Sequence, residues 1–229
     1  MTIVIQPQVI SILMVSTVLI ILMIFGNKKL TSFDPLEEPK GLVLLLLMAV
    51  ETVDSMVYKD VNDEIGENLG PYVGTLWGYV FLSGIWGLTG FESPVGNYSV
   101  TLTLALITVV LVEVNSFKYN GAGSYLHGLF EPIFLFLPMN IIGKISPVIS
   151  LSMRLFANTL AGSIIMSLLY YATSHFSSMI PLIGSFNIFG VLIAPILHIY
   201  FDLISALLQT FIFTSLTIIF IGKELPSTD

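Results

Sequence analysis

The sequence contains no cysteine, a single arginine and three widely separated histidines. The missing cysteine excludes disulfides, thiol nucleophiles and cysteine-ligated zinc. His127, His175 and His198 form no metal-spacing motif, and no cofactor is expected. Charge is scarce as well. Only 10% of the 229 residues are charged, against roughly a quarter in a soluble domain. Eight basic residues stand against fifteen acidic ones, a net charge of −7. That balance argues against nucleic acid, whose phosphates attract basic surfaces. The abundant residues are apolar: 55% of the chain is hydrophobic. So few polar groups cannot cover a surface in water, and the lipid bilayer is the natural solvent.

The runs divide the chain into segments. Val9–Phe25 approaches the ~20 residues that span a bilayer. No Lys or Arg precedes it, and Gly26-Asn27-Lys28-Lys29 comes after it without a small-residue cleavage pattern. An uncleaved first membrane helix is expected, not a signal peptide. Gly41–Tyr58 joins the short run Leu42–Val50 to Glu51 and Asp54. It reads as a surface helix, with a loop around a short buried run as the alternative. Pro71–Phe91 and Tyr98–Phe117 read as a membrane hairpin turning at Glu92–Asn97. Lys118–Ser124 reads as a loop because of Asn120, Gly121 and Gly123, and Tyr125–Leu137 as interfacial or re-entrant.

Ile141–Tyr171 and Phe186–Gly222 are longer than a span requires, the second with an interruption at Pro195. The first would be about 46 Å long as a helix, against a hydrocarbon core of ~30 Å. Both are expected to tilt strongly or bend. The expected fold is a single all-α, polytopic membrane domain over residues 1–229, of about five to six helices. No internal repeat is visible.

The lysines order these segments across the bilayer. Lys28, Lys29, Lys40 and Lys59 lie between the first two spans, Lys118 and Lys144 after the third, and Lys223 after the last. With the N-terminus outside and the C-terminus in the cytoplasm, all seven fall on one side, which is the positive-inside pattern. The stretches left outside, Met1–Gln8, Glu92–Asn97 and His175–Asn187, hold no Lys or Arg.

Against this background the lone arginine stands out. Arg154 lies well inside a long apolar helix, with no Asp or Glu within two turns in sequence. A guanidinium stays charged at any physiological pH, and one in mid-membrane costs about 2.5–3.5 kcal/mol on insertion scales. Its partner comes from another helix, another chain or water; the alternative is snorkelling to an interface. Asn158 lies at i+4 on the same face. Ser163 lies about half a turn away in azimuth and, taken alone, is more often a small packing residue than a channel residue. On the last helix His198, Asp202, Ser205 and Gln209 are spaced 4, 3 and 4 apart, one helical stripe among apolar neighbours. A His and a carboxylate on one membrane stripe read as a proton path or water-lined cavity, the alternative being polar glue between helices. Glu113 lies near Lys118 and reads as a residue reaching the interface.

Three blocks carry a family resemblance: Ser93-Pro94 through Asn97-Tyr98-Ser99-Val100-Thr101-Leu102, then Ser150-Leu-Ser-Met-Arg-Leu-Phe-Ala-Asn-Thr-Leu-Ala-Gly162, then Leu208-Gln-Thr-Phe-Ile-Phe-Thr214. Together and in this order they resemble subunit a of F-type ATP synthases, over roughly Gly41–Ile221. The resemblance implies a stator subunit of the Fo sector, without a catalytic site of its own, in an energy-coupling membrane such as the bacterial plasma membrane. Its partners would be the rotating c-ring and the b-type subunits of the peripheral stalk. Arg154 matches the family's essential arginine facing the ring carboxylates, and Asn158 and Gln209 match its polar neighbours. Asp202 sits where the family usually has Glu or His in the outer half-channel. Ser163 sits where many members carry an acidic or other polar residue, and Asn140 where some carry Glu. Those two departures shift the outer path toward Asp202 and His198 and put an inner acidic contact in doubt. The coupled ion, proton or sodium, is left open, since selectivity in this family lies mainly in the ring.

Two readings compete. A self-contained channel or transporter would need its own pore and an intrachain partner for Arg154, and inverted repeats would favour it. An intramembrane serine protease would need Ser163 within reach of His198 and an oxyanion site.

A cysteine-free chain allows the sidedness to be tested directly. Ser227→Cys is expected to be shielded from a membrane-impermeant thiol reagent in intact cells, and Ser93→Cys to react. Labelling of the Ser227 position from outside would reverse the topology.

Overall fold

The computed structural model describes residues 7–33, 38–61, 63–130, 133–179 and 187–224. The expectations for Met1–Gln8 (apart from Pro7 and Gln8), for most of His175–Asn187 and for the C-terminal Ser227 fall outside those residues. Among the described residues the chain forms six α-helices and no strand. They are α1 (Pro7–Thr31), α2 (Leu42–Asp60), α3 (Asp63–Ile85), α4 (Tyr98–Phe130), α5 (Leu137–Ser178) and α6 (Ile188–Lys223).

Four stretches are long and apolar enough to cross a bilayer: Gln8–Thr31, Tyr98–Gly121, Phe134–Ser178 and Ile188–Lys223. The expected span Pro71–Phe91 is not among them. Its helix begins earlier, at Asp63, and its regular part ends at Ile85, before a 3-10 turn over Trp86–Thr89. Asp63, Glu64 and Glu67 dilute the apolar character of its start. The helix still traverses the bundle. Leu69 and Val73 pack with Val57, Val61, Val112, Ile218 and Ile221 at one end. Leu76 and Val80 pack with Val95, Val148, Leu151, Leu155 and Phe213 further along.

The loop expected at Lys118–Ser124 is reduced to a single non-helical residue, Gly121, between two helical stretches. Helix α4 continues to Phe130 and changes direction at Gly121, whose φ of 76° and ψ of 153° suit a residue without Cβ. Asn120 does not end the helix by bonding its own backbone, because its side-chain amide donates to the Glu224 carbonyl oxygen at 2.6 Å. The segment expected to be interfacial or re-entrant is helical to Phe130 and has a 3-10 turn at Phe134–Phe136; Glu131 and Pro132 between them lie outside the described residues.

Helix α5 has 42 residues, extending the expected Ile141–Tyr171 at both ends, or about 63 Å at 1.5 Å per residue. Asn187 starts α6: its side-chain oxygen accepts from the Gly190 N–H at 2.9 Å, while its amide donates to Thr173 Oγ1 at 3.1 Å on α5. The interruption expected at Pro195 is displaced. Pro195 lies within the helix, and one turn later the chain widens into a π turn over Ile199–Ile204, where the Ser205 N–H bonds the Tyr200 carbonyl. Such turns are inserted irregularities, frequent at functional sites.

Helices α3 and α6 approach closely where Gly84 meets Ala206, just beyond the π turn. A Cβ at Gly84 would lie 2.5 Å from Ala206 Cβ and 3.3 Å from its Cα. Small residues of this kind let membrane helices touch through their backbones. Gly84→Ala is expected to destabilise the protein by about 1–3 kcal/mol, read as a lower melting temperature in lipid. Adding Ala206→Gly should restore most of the loss. An unchanged melting temperature for Gly84→Ala would mean that the helices part freely there.

Candidate functional site

The polar residues of α5 and α6 gather around a cavity of about 480 Å3. Its wall includes Asn158 and Ser163 from α5 and His198, Asp202 and Gln209 from α6. Besides the hydroxyl residues Ser93, Thr159 and Ser167, it is lined by Gln8 at the start of α1, Glu92 in the turn before α4 and Tyr170 on α5. None of these last three stands out in the sequence. Glu92 looks like an ordinary turn acid, and Tyr170 shares no spacing with the other polar residues. All three belong to the lysine-free end of the bundle, while the far wall reaches Asn158 and Gln209 in its middle.

Within this cavity the His198–Asp202 spacing produces the contact it predicts. His198 Nδ1 lies 2.5 Å from Asp202 Oδ2. The other ring nitrogen, Nε2, lies 2.9 Å from the Tyr170 hydroxyl. The carboxylate packs beside Gly87, where a Cβ would stand at ordinary contact distance, 3.8 Å from Asp202 Oδ1. Gln209 is buried, and its Nε2 has no hydrogen-bond partner among the described residues. Three of the four residues expected on one stripe, His198, Asp202 and Gln209, line the cavity, and Ser205 does not. Ser205 turns to α5, where Asn158 Nδ2 donates to its hydroxyl at 2.7 Å. The Ser163 hydroxyl donates to the Leu160 carbonyl at 2.9 Å, so it is not paired with His198.

A second cavity, of about 520 Å3, opens at the lysine-bearing end between Glu113, Asn140, Lys144, Lys223 and Glu224. Here Glu113 pairs not with Lys118 but with Lys144, whose Nζ lies 3.0 Å from Glu113 Oε2 and 3.5 Å from Glu224 Oε2. The Tyr125 hydroxyl donates to Glu113 Oε2 at 2.5 Å, and Ser116 donates to Glu224 Oε2 at 2.7 Å. Burial, then the hydrogen bond to the Glu113 carboxylate, push the Tyr125 phenol above its ordinary pKa. These bonds tie the ends of α4, α5 and α6 together. The pairs are only part-buried, at 26–34% side-chain exposure, and pairs at a surface contribute roughly 0–1 kcal/mol each, so the cluster orients groups more than it stabilises the fold. Sequence reasoning misses it because its contacts join residues 12 to 108 positions apart along the chain.

Arg154 lies one helical turn from Asn158 but lines neither cavity. Its side chain is exposed on the outer face of α5, among Met153, Leu160 and Ile164 at 47%, 41% and 50% exposure. On α6 the neighbouring outer face is equally apolar, with Leu207, Leu208 and Phe211 exposed. Among the described residues the guanidinium has no ion-pair or hydrogen-bond partner. Along α5 the order is therefore second cavity, Arg154, first cavity. Lys144 precedes Arg154 by about 15 Å and Tyr170 lies about 24 Å beyond it at helical rise.

Known proteins carry the same relationship across nearly the whole chain. A family described as ATP synthase A chain matches residues 9–222. The chain is 32% identical over 196 residues to "ATP synthase subunit a, sodium ion specific" of Propionigenium modestum, a match over 76% of this chain and 62% of that one. It is 31% identical over 223 residues to ATP synthase subunit a of Mycoplasma genitalium, covering 92% of this chain and 76% of the relative. With ATP synthase subunit a of Bacillus subtilis it shares 30% identity over 186 residues, 77% of this chain and 76% of the other. The chain spans somewhat less than two thirds of the first relative's length and about three quarters of the other two. An all-helical membrane protein whose family match runs from α1 to the last turn of α6, it belongs to the ATP synthase A chain family.

Proposed function

We propose that this chain is the fixed half of the ion path in the membrane sector of an ATP synthase. The observation that carries the reading is the order along α5: a cavity at each end and, between them, an unpaired guanidinium facing outward from the chain. A self-contained channel would put its fixed charge on an internal wall. An outward charge on an apolar face is well matched by a counter-charge in another chain. A ring of carboxylates turning past α5 and α6 supplies that counter-charge.

In this mechanism the first cavity is the outer half-channel and the second the inner one. A ring carboxylate passing Arg154 is held ionised by the guanidinium. Leaving it on one side, the carboxylate takes a proton from one half-channel; approaching from the other, it has given a proton to the second. The charge of Arg154 also repels protons and so blocks a direct leak between the cavities. Each charge moved through ~100 mV carries about 2.3 kcal/mol, and several such steps sum to rotation that drives ATP synthesis, or run in reverse on hydrolysis. In the outer cavity Asp202 and His198 receive and pass protons, with Asn158, Ser163 and Gln209 holding water. Ser205 acts through Asn158, which it orients. At 42 residues α5 far exceeds a bilayer's thickness, so α5 and α6 lie strongly tilted and present a broad face to the ring. Helix α2 lies along the inner membrane surface. The peripheral-stalk b-type subunits hold the chain still against the ring.

Two experiments test the reading. Arg154→Ala is expected to abolish ATP-driven proton pumping in vesicles while the complex stays assembled. Arg154→Lys should fail nearly as completely, because a point charge lacks the planar fork. Normal pumping by the Ala variant would defeat the proposal. Asp202→Asn is expected to slow passive proton flux, in vesicles stripped of the catalytic head, by about tenfold or more, and Asp202→Glu to retain much of it. Flux by Asp202→Asn equal to the parent over a range of pH would reduce the polar lining to structural glue.

A further inference from the structure

Tyr170 carries no signal in the sequence, yet it makes a direct side-chain contact from α5 to the polar residues of α6 at the lysine-free end. Its hydroxyl lies 2.9 Å from His198 Nε2, and the opposite ring nitrogen meets Asp202 at 2.5 Å. A neutral imidazole has one donor nitrogen and one acceptor. An ionised carboxylate can only accept, so Nδ1 must carry the proton. Nε2 is then the acceptor, and the hydroxyl of Tyr170 must be the donor. With the imidazole neutral and the carboxylate ionised, this arrangement satisfies all three groups.

We propose that Tyr170 is a positioning residue of the outer path: its hydroxyl donates to His198 Nε2 and fixes the imidazole with its proton on Nδ1, directed at Asp202. The inference rests on reading the first cavity as an ion path. The bond joins α5, which carries Arg154, to the π turn of α6, which carries Asp202. It therefore sets the carboxylate's position relative to the fixed charge. The titratable groups around this cavity are Glu92 from the turn before α4, Tyr170 from α5, and His198 and Asp202 from α6. Of these, Tyr170 and Asp202 contact the imidazole. The ring of Tyr170 also lies beside it, with centroids 6.2 Å apart, so removal of the hydroxyl alone leaves the packing in place.

The test is Tyr170→Phe in the intact complex in lipid vesicles, with two readouts. The first is 15N magnetic resonance of histidine-labelled protein. With three histidines in the chain, the His198 signals are identified by their loss in His198→Gln. At neutral pH the parent should show Nδ1 protonated and Nε2 as a bare, hydrogen-bonded nitrogen. In Tyr170→Phe the Nε2 signal should move to the free or protonated position. The second is passive proton flux, which should fall about threefold to tenfold, the factor that one hydrogen bond commands. A protonated Nε2 in the parent, or an Nε2 signal unmoved by Tyr170→Phe, overturns the inference. So does a moved signal with unchanged flux, in a complex where Asp202→Asn does slow flux. If Asp202→Asn itself conducts normally, the failure is that of the outer-path reading, and the role of Tyr170 in conduction falls with it.

Discussion

One uncompensated charge organises this molecule. A guanidinium in an apolar environment is stabilised only by a counter-charge, by hydrogen bonds or by water. Arg154 has neither counter-charge nor hydrogen bond from its own chain among the described residues. The polar groups of the two long helices flank it on either side. Asn158 and Gln209 stand around the inner end of one cavity. Lys144, itself a cation, lies about two and a half turns off and is neutralised by Glu113 and Glu224. The local electrostatics thus leave one net positive group facing outward, where an opposing carboxylate would experience it most strongly.

The scaffold serves to keep that geometry. Close approaches at Gly84 and Gly78 bring α3 against Ala206 and Leu19. The side chains of Asn187 and Asn120 fasten the helix ends that carry the cavities. Helix α6 presents His198 and Asp202 to the cavity, and beyond the π turn it directs Ser205 toward Asn158 while burying Gln209.

How much of this can be read from sequence depends on whether the controlling interaction is local. The long hairpin is legible in the lengths of its apolar runs, and the His198–Asp202 contact in a spacing of one turn. Arg154 is legible because a charge so deep in an apolar run has no local counter-charge to explain it. At Lys118–Ser124 the Asn-Gly pair marks the break at Gly121, but the helix on either side of it is not legible, since only the distant Glu224 carbonyl occupies Asn120. The start of α3 at Asp63 is hidden by its acidic residues, and Pro195 draws attention away from the widened turn beyond it. Glu113, Tyr170 and Glu92 gain their places from tertiary contacts alone, which no window along the chain contains.

The central claim is that the counter-charge of Arg154 belongs to a different chain. The most direct measurement is an electron cryomicroscopy structure of the intact complex in lipid, resolving the side chains around α5. The predicted result is a carboxylate of a neighbouring chain within salt-bridge reach of the guanidinium, about 4 Å, or one water away, in at least one rotational state. A guanidinium paired with a carboxylate of its own chain in every state, or pointing into lipid with no neighbouring carboxylate on that face, would contradict it.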